Sequence, residues 1–347
     1  QLVEIAKAMS FNPKVLLLDE PTSALALHET DNLFRLVRQL SARGVVIIHI
    51  THRLQELPQI ADTVTVLRDG ASVGTITISE ATPATLVRMM FGQTEIQQRP
   101  AASIAEREPV LRVEGLGRGD AFQDVHFTLH RGEILGIAGM LGAGRTELLR
   151  AIFGADPFHS GRIVLEGRPL TRVSPDRMNR LGVALTPENR KEEALVLPLS
   201  TRANLCLAGL NRIASRGFLT RSRERAIVDR QTRELRIKLT DPEDPVASLS
   251  GGNQQKVVIG NWLNTHPRII LFDEPTRGID VEAKQQIFQI MWRLSAQGIS
   301  SIIVSSELEE LLEVCHRILI MKKGRITAEV DPASVALDQL FALCMEA

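Results

Sequence analysis

The sequence has no tyrosine, only two tryptophans and only three cysteines. Cys206, Cys315 and Cys344 are scattered, odd in number and without the spacing of metal ligands, so we interpret them as reduced thiols of a cytosolic protein. Basic residues show no excess either, since lysine plus arginine and aspartate plus glutamate both number 41. This balance argues against nucleic acid as the main partner.

Long apolar runs are also absent from the sequence. No run approaches the roughly 18 residues of a membrane span, and no stretch resembles a signal peptide. We therefore expect a cytosolic chain, either free or seated on a membrane protein. The chain begins with Gln1 and enters the helix-like pattern "QLVEIAKAMS" without a capping residue, so we expect it to be a fragment.

What the sequence does contain is a long internal repeat. Residues 12–25, "NPKVLLLDEPTSAL", recur 254 positions later as residues 266–279, "HPRIILFDEPTRGI". The match continues from "LFRLVRQLSARGVVIIHITHRLQEL" to "IFQIMWRLSAQGISSIIVSSELEEL". In each copy two apolar runs flank an amphipathic helix, the pattern of a β-α-β unit in a parallel sheet. The repeat predicts a duplicated α/β domain.

The same offset predicts the domain boundaries. Gln1 aligns with Gln255 inside "LSGGNQQ", so the first copy, residues 1–92, is expected to be the C-terminal part of a domain. Residues 93–109 are polar and contain proline and alanine, which predicts a linker. Residues 110–347 are expected to form a complete second copy.

A glycine-rich segment of the second copy, "GMLGAGRT", lies between a strand-like and a helix-like run. Its spacing is that of a phosphate loop, G-x-x-x-x-G-K-[ST], except that Arg145 replaces the lysine. Backbone amides at a helix N-terminus would bind phosphate, and the Thr146 hydroxyl would bind Mg²⁺. A glycine-rich turn without a ligand is the alternative. The candidate binding residues are Gly139, Met140, Leu141, Gly142, Ala143, Gly144, Arg145, Thr146 and Glu147.

An acidic pair, Asp273 and Glu274, follows the apolar run "IILF". The carboxyl ends of strands are where ligands bind in open α/β sheets. We expect Asp273 to hold Mg²⁺, directly or through water, and Glu274 to orient or deprotonate an attacking water. The alternative is an acidic pair that caps a turn before Pro275. Recurrence of the pair as Asp19 and Glu20 favours the functional interpretation.

A second anion site is predicted where "LSGG" precedes the helical pattern "QQKVVIGNWL". Free amides and a hydroxyl would lie at that helix N-terminus. Two such helix ends in one domain are unusual unless they face different nucleotides. The candidate residues are Ser250, Gly251, Gly252, Asn253 and Gln254.

In this order, the phosphate loop, "LSGGNQQ", "DEPT" and "RGID" resemble the motifs of an ATP-binding cassette domain. The segments "TPENRKEEAL", "DEPTRGIDVEAK" and "VSSELEEL" are similar to the second cassette of the tandem ATPase subunit of bacterial monosaccharide importers. The family's usual form of the first is "PEDRKxxGL", so Asn189 and Ala194 depart from it. The resemblance implies an α/β P-loop NTPase fold, in one partial and one complete copy. Each copy has a mixed or parallel sheet, and the complete copy has a helical subdomain at about residues 189–248.

The resemblance also implies the function and the partners. In the family two cassettes meet head to tail, and each nucleotide lies between one phosphate loop and the opposing "LSGG". It implies ATP and Mg²⁺ as cofactors, a membrane-spanning permease as partner and, indirectly, a periplasmic sugar-binding protein. The permease would dock on the helical subdomain near the loop of Glu188. The chain would be peripheral at the cytoplasmic face of the inner membrane and would self-associate through head-to-tail contacts.

The two sites are expected to differ in competence. In the second copy Glu188 occupies the family's γ-phosphate glutamine position, where a carboxylate repels phosphate, and Ser306 occupies the switch histidine position. With Arg145, these departures predict nucleotide binding without fast hydrolysis. In the first copy Asp19, Glu20 and His52 match the metal carboxylate, the catalytic carboxylate and the switch histidine.

Since each site is only half present, we expect little ATPase activity from the chain alone. In the segment before "DVHFTL", Phe122 is the one aromatic that the sequence offers for stacking on adenine. The arginine-rich segment around residues 221–239 is interpreted as a solvated helix with Ile227, Leu235 and Ile237 on its buried face. Two alternatives to an importer subunit remain open: a soluble tandem cassette that acts on ribosomes or DNA, and a non-catalytic remnant that sequesters partners.

Overall fold

The computed structural model describes residues 2–22, 27–51, 53–68, 70–91, 107–170, 172–214 and 218–345. The chain divides into two compact units, Gln1–Ile96 and Gln97–Ala347. The division falls within the predicted linker, most of which lies outside the described residues. Pro109, the last residue of that predicted linker, already opens the first strand of the second unit.

Unit 1 contains two pairs of short strands and four α-helices among its described residues. The strand Val15–Asp19 pairs in parallel with Val46–Ile50, and Thr63–Arg68 pairs antiparallel with Ala71–Thr77. In chain order the elements are α1 (Leu2–Met9), β1 (Val15–Asp19), α2 (Leu27–Ala42), β2 (Val46–Ile50), α3 (Leu57–Ile60), β3 (Thr63–Arg68), β4 (Ala71–Thr77) and α4 (Pro83–Phe91).

Among the described residues of unit 1, one face of the β1–β2 pair packs against α2, and the other face is exposed. On the packed face Leu16 and Leu18 of β1 join Leu33, Phe34 and Val37 of α2 in one apolar cluster. Side chains alternate between the two faces of a strand, so the intervening residues point the other way. Those are apolar yet about half or more exposed: Val15 (51%), Leu17 (69%), Val46 (58%), Ile48 (49%) and Ile50 (54%).

Unit 2 is built on a six-stranded sheet with strand order β10-β11-β12-β7-β13-β14, in which only β14 is antiparallel to its neighbour. A second, antiparallel sheet has the order β6-β5-β8-β9. The strands are β5 (Pro109–Arg118), β6 (Phe122–His130), β7 (Ile134–Ala138), β8 (Ser160–Leu165), β9 (Arg168–Leu170), β10 (Val183–Thr186), β11 (Ile269–Asp273), β12 (Ser300–Val304), β13 (Arg317–Lys322) and β14 (Arg325–Val330). The α-helices are α5 (Arg145–Phe153), α6 (Pro175–Arg180), α7 (Thr201–Cys206), α8 (Leu210–Ile213), α9 (Arg221–Glu234), α10 (Gly251–Leu263), α11 (Val281–Ala296), α12 (Leu308–Val314) and α13 (Leu337–Met345).

The central strands of unit 2 are covered on both faces. Every residue of β7, β11 and β12 is buried, as expected for parallel strands with near-continuous apolar sequence. One apolar cluster joins the sheet to α5 and the antiparallel strands, and another joins it to α10, α11 and the helices between residues 189 and 248. Within the latter, Leu235 and Ile237 are buried as predicted and Ile227 is partly buried.

The element bounds of the two units follow the 254-residue offset found in the sequence. By that offset, α2 and α11 begin and end at equivalent residues, as do β1 and β11, β2 and β12, and α4 and α13. Backbone detail repeats as well. Glu20 and Glu274 both adopt a left-handed conformation, with φ of 44° and 47°, and their amides donate to the carbonyls of Ile50 and Val304 respectively.

Cys206, Cys315 and Cys344 are all buried, and none of them forms a disulfide bond among the described residues. Within the described ranges, none of the helices combines the length and the apolar composition needed to cross a lipid bilayer.

Candidate functional site

The glycine-rich loop of unit 2 joins a strand to a helix, as the sequence predicts. β7 ends at Ala138 and α5 begins at Arg145. Gly142 and Gly144 have φ of 81° and 94°, a region that favours glycine. A Cβ on Gly144 would overlap the carbonyl oxygen of Ala121, whereas a Cβ on Gly142 would meet no atom within 4 Å. The tip is open to solvent, with Leu141 98% exposed.

Arg145, the residue in the lysine position, is buried and held by protein acceptors. Its Nη1 donates to the carbonyl oxygen of Ser305 at 2.7 Å, and its Nη2 lies 3.8 Å from Oε1 of Glu274. The guanidinium is therefore directed to the ends of β11 and β12. A planar guanidinium with five donors can make both contacts at once, which a compact ammonium group does not reproduce.

Below the loop, Thr146 and Asp273 form an oxygen pair. The Thr146 hydroxyl donates to Oδ1 of Asp273 at 3.0 Å. Asp273 is 1% exposed, and this burial raises its pKa to about 6, although the bond from Thr146 acts in the opposite direction. A divalent cation would offset the cost of burying this carboxylate.

These two oxygens fit Mg²⁺. Mg²⁺ takes oxygen ligands and is typically held in proteins by one or two side chains, with phosphates and water completing its shell. In the parts of the chain that the structure describes, no cluster of three or more His, Cys, Asp or Glu residues could hold a metal ion.

Glu274 is the second carboxylate of the site, and both of its oxygens face donors. Oε2 accepts the backbone amide of Ser306 at 3.0 Å and the Ser306 hydroxyl at 3.1 Å, while Oε1 faces Arg145. Burial raises the pKa of Glu274, and the Ser306 bonds and Arg145 oppose that rise. A general base must reach the proton of its water with a lone pair, and here Oε2 already accepts two hydrogen bonds, while Oε1 faces the Arg145 guanidinium at 3.8 Å.

Glu188, in the loop after β10, is paired with Arg277. From the sequence alone, the Glu188 carboxylate is expected to repel phosphate. In the structure the Arg277 guanidinium neutralises it, so the repulsion is reduced. The sequence did not reveal this partner, because the two residues are 89 positions apart.

Arg190 was not identified as a site residue from the sequence. It lies in "TPENRK" and connects this segment with "RGID" and "LSGG". Its Nη1 and Nη2 donate to the carbonyl oxygens of Arg277 and Gly278 at 2.7 and 3.2 Å. A Cβ on Gly251 would lie 2.7 Å from Arg190 Nη2, so the first turn of α10 is packed against the same guanidinium. The segment "TPENRK" was the available signal. It identified the loop but not the role of its arginine.

Replacing Arg190 with lysine is expected to destabilise unit 2 by about 1–3 kcal/mol, because charge-assisted hydrogen bonds to two carbonyls are lost. Differential scanning calorimetry measures this as a lower Tm. Arg180→Lys is the matched control, since Arg180 is mostly exposed and paired only with Asp176, four residues earlier. An Arg190→Lys protein that melts with Arg180→Lys would show that the Arg190 bonds add nothing to stability.

The "LSGG" segment lies at the start of α10. Ser250 is exposed and immediately precedes the helix, and its hydroxyl accepts from Nδ2 of Asn253 at 3.0 Å. Gln254 is buried and donates to the carbonyls of Val246 and Leu249. Ser250 is thus exposed to solvent, Gly251 is half-buried beside Arg190, and the Gln254 side chain secures the preceding turn.

In unit 1, Asp19 and Glu20 lie at the end of β1 and are exposed. His52, the predicted switch histidine, lies outside the described residues. Phe122 was predicted as the aromatic that stacks on adenine, and this prediction is wrong. Its side chain is 0% exposed, because Phe122 opens β6 and points into the apolar cluster beneath the antiparallel sheet.

Sequence comparison with known proteins identifies the family of the chain. A family model described as ABC transporter matches residues 122–277. A ribose import ATP-binding protein of Rubrobacter xylanophilus is 44% identical over 345 residues, which are 99% of this chain and 69% of the relative. That of Oceanobacillus iheyensis is 43% identical over 330 residues, which are 95% of this chain and 66% of the relative. The chain thus spans about two thirds of the length of these relatives.

Solved structures share the fold. A nucleotide-free ATP-binding cassette from an ABC transporter superposes with a TM-score of 0.59 at 21% identity, covering 69% of this chain and 96% of that one. A dimeric cassette in a post-hydrolysis state, bound to ADP and Pi, has a TM-score of 0.56 at 20% identity and covers 64% and 98%. The fold is that of an α/β P-loop ATP-binding cassette, and with the sequence relatives it shows that the chain belongs to the ABC transporter family of sugar-import ATP-binding proteins.

Proposed function

We propose that the chain is part of the energy-coupling ATPase subunit of a simple-sugar importer, and that it binds Mg²⁺–ATP at unit 2. The observation that carries this proposal is the Thr146–Asp273 oxygen pair below a glycine loop that opens α5. The ribose import relatives support the transport role. In this role the chain meets a membrane permease at the cytoplasmic face of the inner membrane, and a periplasmic sugar-binding protein supplies the permease.

We also propose a tandem organisation of one partial cassette, residues 1–92, and one complete cassette, residues 110–347. The 254-residue offset supports it, because helices, strands and two left-handed glutamates recur at equivalent positions. Under this proposal Asp19, Glu20 and His52 are the metal-binding, catalytic and switch residues of the partial cassette, and Ser250, Gly251 and Gly252 are nucleotide-binding residues of the complete one.

The site of unit 2 is proposed to hold nucleotide with little hydrolysis. Ser306 donates two hydrogen bonds to Oε2 of Glu274, and Arg145 lies 3.8 Å from Oε1, and both contacts oppose the transfer of a proton from water to this carboxylate. Serine also has no ring nitrogen to exchange a proton near neutral pH, as a histidine in the switch position would.

Titration with the fluorescent analogue trinitrophenyl-ATP, with and without Mg²⁺, tests binding, and phosphate release tests turnover. We expect Mg²⁺-enhanced binding and a turnover at least about 100-fold below the enzyme median of about 10 s⁻¹. Thr146→Val keeps the side-chain shape but removes the hydroxyl, so the Mg²⁺ enhancement is expected to disappear. Fast phosphate release that Glu274→Gln abolishes would overturn the holding role of unit 2.

A further inference from the structure

A buried carboxylate that the proposed function does not use lies beside the site of unit 2. Glu310, on α12, is 2% exposed. Its Oε2 accepts the Thr276 hydroxyl at 2.6 Å and the Ser305 hydroxyl at 2.7 Å. Its Oε1 lies 2.8 Å from Nζ of Lys284 on α11. One carboxylate thus joins three separate segments of the unit.

Two of those segments carry the reacting groups of the site. Thr276 follows Glu274 by two residues, and Ser305 directly precedes Ser306. The Ser305 carbonyl accepts Arg145, and Ser306 donates twice to Glu274. Glu310 therefore anchors both loops through its bonds to Thr276 and Ser305.

The same arrangement occurs in unit 1. Glu56 is equivalent to Glu310 by the 254-residue offset, and it is also buried. It accepts hydrogen bonds from the hydroxyls of Thr51 and Thr22, which are equivalent to Ser305 and Thr276. These bonds help hold the pKa of Glu56 below its usual value, against the effect of burial.

The basic side chains around the two carboxylates differ, whereas the hydroxyl bonds do not. In unit 1, His49 and Arg53 lie 3.6 Å from Glu56. In unit 2 the cation is Lys284, on a different element. The shared feature is therefore a carboxylate that bridges two loops through hydroxyl hydrogen bonds. The basic side chains beside that carboxylate come from different positions in the two units.

We propose that Glu310 is a positioning residue of the unit 2 site, which fixes the Ser305–Ser306 and Pro275–Thr276 loops so that Arg145 and Glu274 keep their observed contacts. The proposal rests on the proposed nucleotide binding only for its effect on affinity. Its local effect on the loops is independent of any ligand.

A structural role alone would not require a charge here. Burial raises the pKa of Glu310 to about 7, with Lys284 opposing the rise, so the carboxylate is a costly choice for a packing position. Well-packed apolar residues commonly replace buried ion pairs without loss of stability. Hydrogen bonds to a carboxylate are about twice as strong as neutral ones, which suits a residue that must hold two loops.

The first experiment compares Glu310→Gln with Glu133→Gln by hydrogen–deuterium exchange in the absence of nucleotide. Glu133 is equally buried and ion-paired, with Arg317, but it precedes β7 at the opposite end of the sheet. We expect Glu310→Gln to speed exchange at least about threefold in peptides covering residues 142–147 and 304–308, and Glu133→Gln to leave those peptides unchanged. Ser305→Ala, which removes one hydroxyl and keeps the carbonyl, should reproduce the effect near residue 305. Unchanged exchange in these peptides for both Glu310→Gln and Ser305→Ala would overturn the proposal.

The second experiment is a double-mutant cycle on the Kd of trinitrophenyl-ATP with Mg²⁺. If Glu310 acts through the Ser305 carbonyl and Arg145, Glu310→Gln should raise the Kd about 5- to 10-fold in the parent chain. In an Arg145→Lys background the factor of increase should be smaller by at least about threefold. Equal factors in the two backgrounds would contradict the proposed route. A parent chain that binds no nucleotide would refute the proposed function instead, and the exchange experiment would still decide the role of Glu310.

Discussion

Replacing Gly144 with alanine is expected to weaken the binding of Mg²⁺–ATP to unit 2 by at least about 100-fold. The φ of 94° disfavours any residue with a Cβ, and the added Cβ would overlap the Ala121 carbonyl oxygen, so the loop must move. The moved loop would carry its amides away from the N-terminus of α5, where the proposed function requires them to contact the phosphates. Equilibrium titration with trinitrophenyl-ATP measures the change.

Gly142→Ala provides a matched control in the same loop. Gly142 has a similar φ of 81°, but its Cβ would enter open space. This variant pays only the backbone strain of about 1–2 kcal/mol, so binding should weaken about 10-fold. If the two variants bound equally well, the collision with Ala121 would have no bearing on the phosphate loop.

Asp273→Asn is expected to stabilise unit 2 at neutral pH while it weakens Mg²⁺-dependent nucleotide binding. Burial raises the pKa of Asp273 from the ordinary 3.8 to about 6, which corresponds to a cost of about 2–3 kcal/mol when the carboxylate is ionised. Asparagine removes that charge and retains an oxygen that can accept the Thr146 hydroxyl. At pH 8 we expect the Tm of unit 2 to rise by about 5–10 °C.

The pH dependence distinguishes this cause from a general gain in packing. The folded-state pKa of Asp273 is raised, so its stabilising contribution is fully present below about pH 4 and is lost as the pH rises through about 6. The Tm difference between Asp273→Asn and the parent should therefore be small at pH 4 and reach its full value above pH 7. Calorimetry at both pH values checks this, and a difference that does not vary with pH would exclude Asp273 ionisation as its source.

Much of the chemistry of unit 2 could be predicted from the sequence, because it depends on local patterns. The glycine spacing and the flanking apolar runs predicted the strand–loop–helix of residues 134–153, and the run "IILF" predicted the strand that ends at Asp273. The same patterns suggested that Arg145 and Ser306 would alter the site. They could not show that both residues converge on Glu274.

The rest could not be predicted because it depends on pairs of residues that are distant in the chain. Arg277 with Glu188, Arg190 with Gly278, and Glu310 with Thr276 are each brought together only by the folded sheet. Phe122 failed for a related reason. An aromatic near a phosphate loop predicts base stacking only if its ring faces the ligand, and strand β6 turns this ring inward.

The half-exposed β1–β2 pair has a consequence for how the chain behaves on heating and in the presence of proteases. Its residues Val15, Leu17, Ile48 and Ile50 are exposed, whereas their equivalents in β11 and β12 are sealed between α5 and the antiparallel sheet. Parallel strands depend on cover from both sides, and local opening begins where few apolar groups are buried. Unit 1 should therefore open before unit 2 on heating, and a protease should cleave it first. Once opened, its strand edges offer a template for aggregation of the chain.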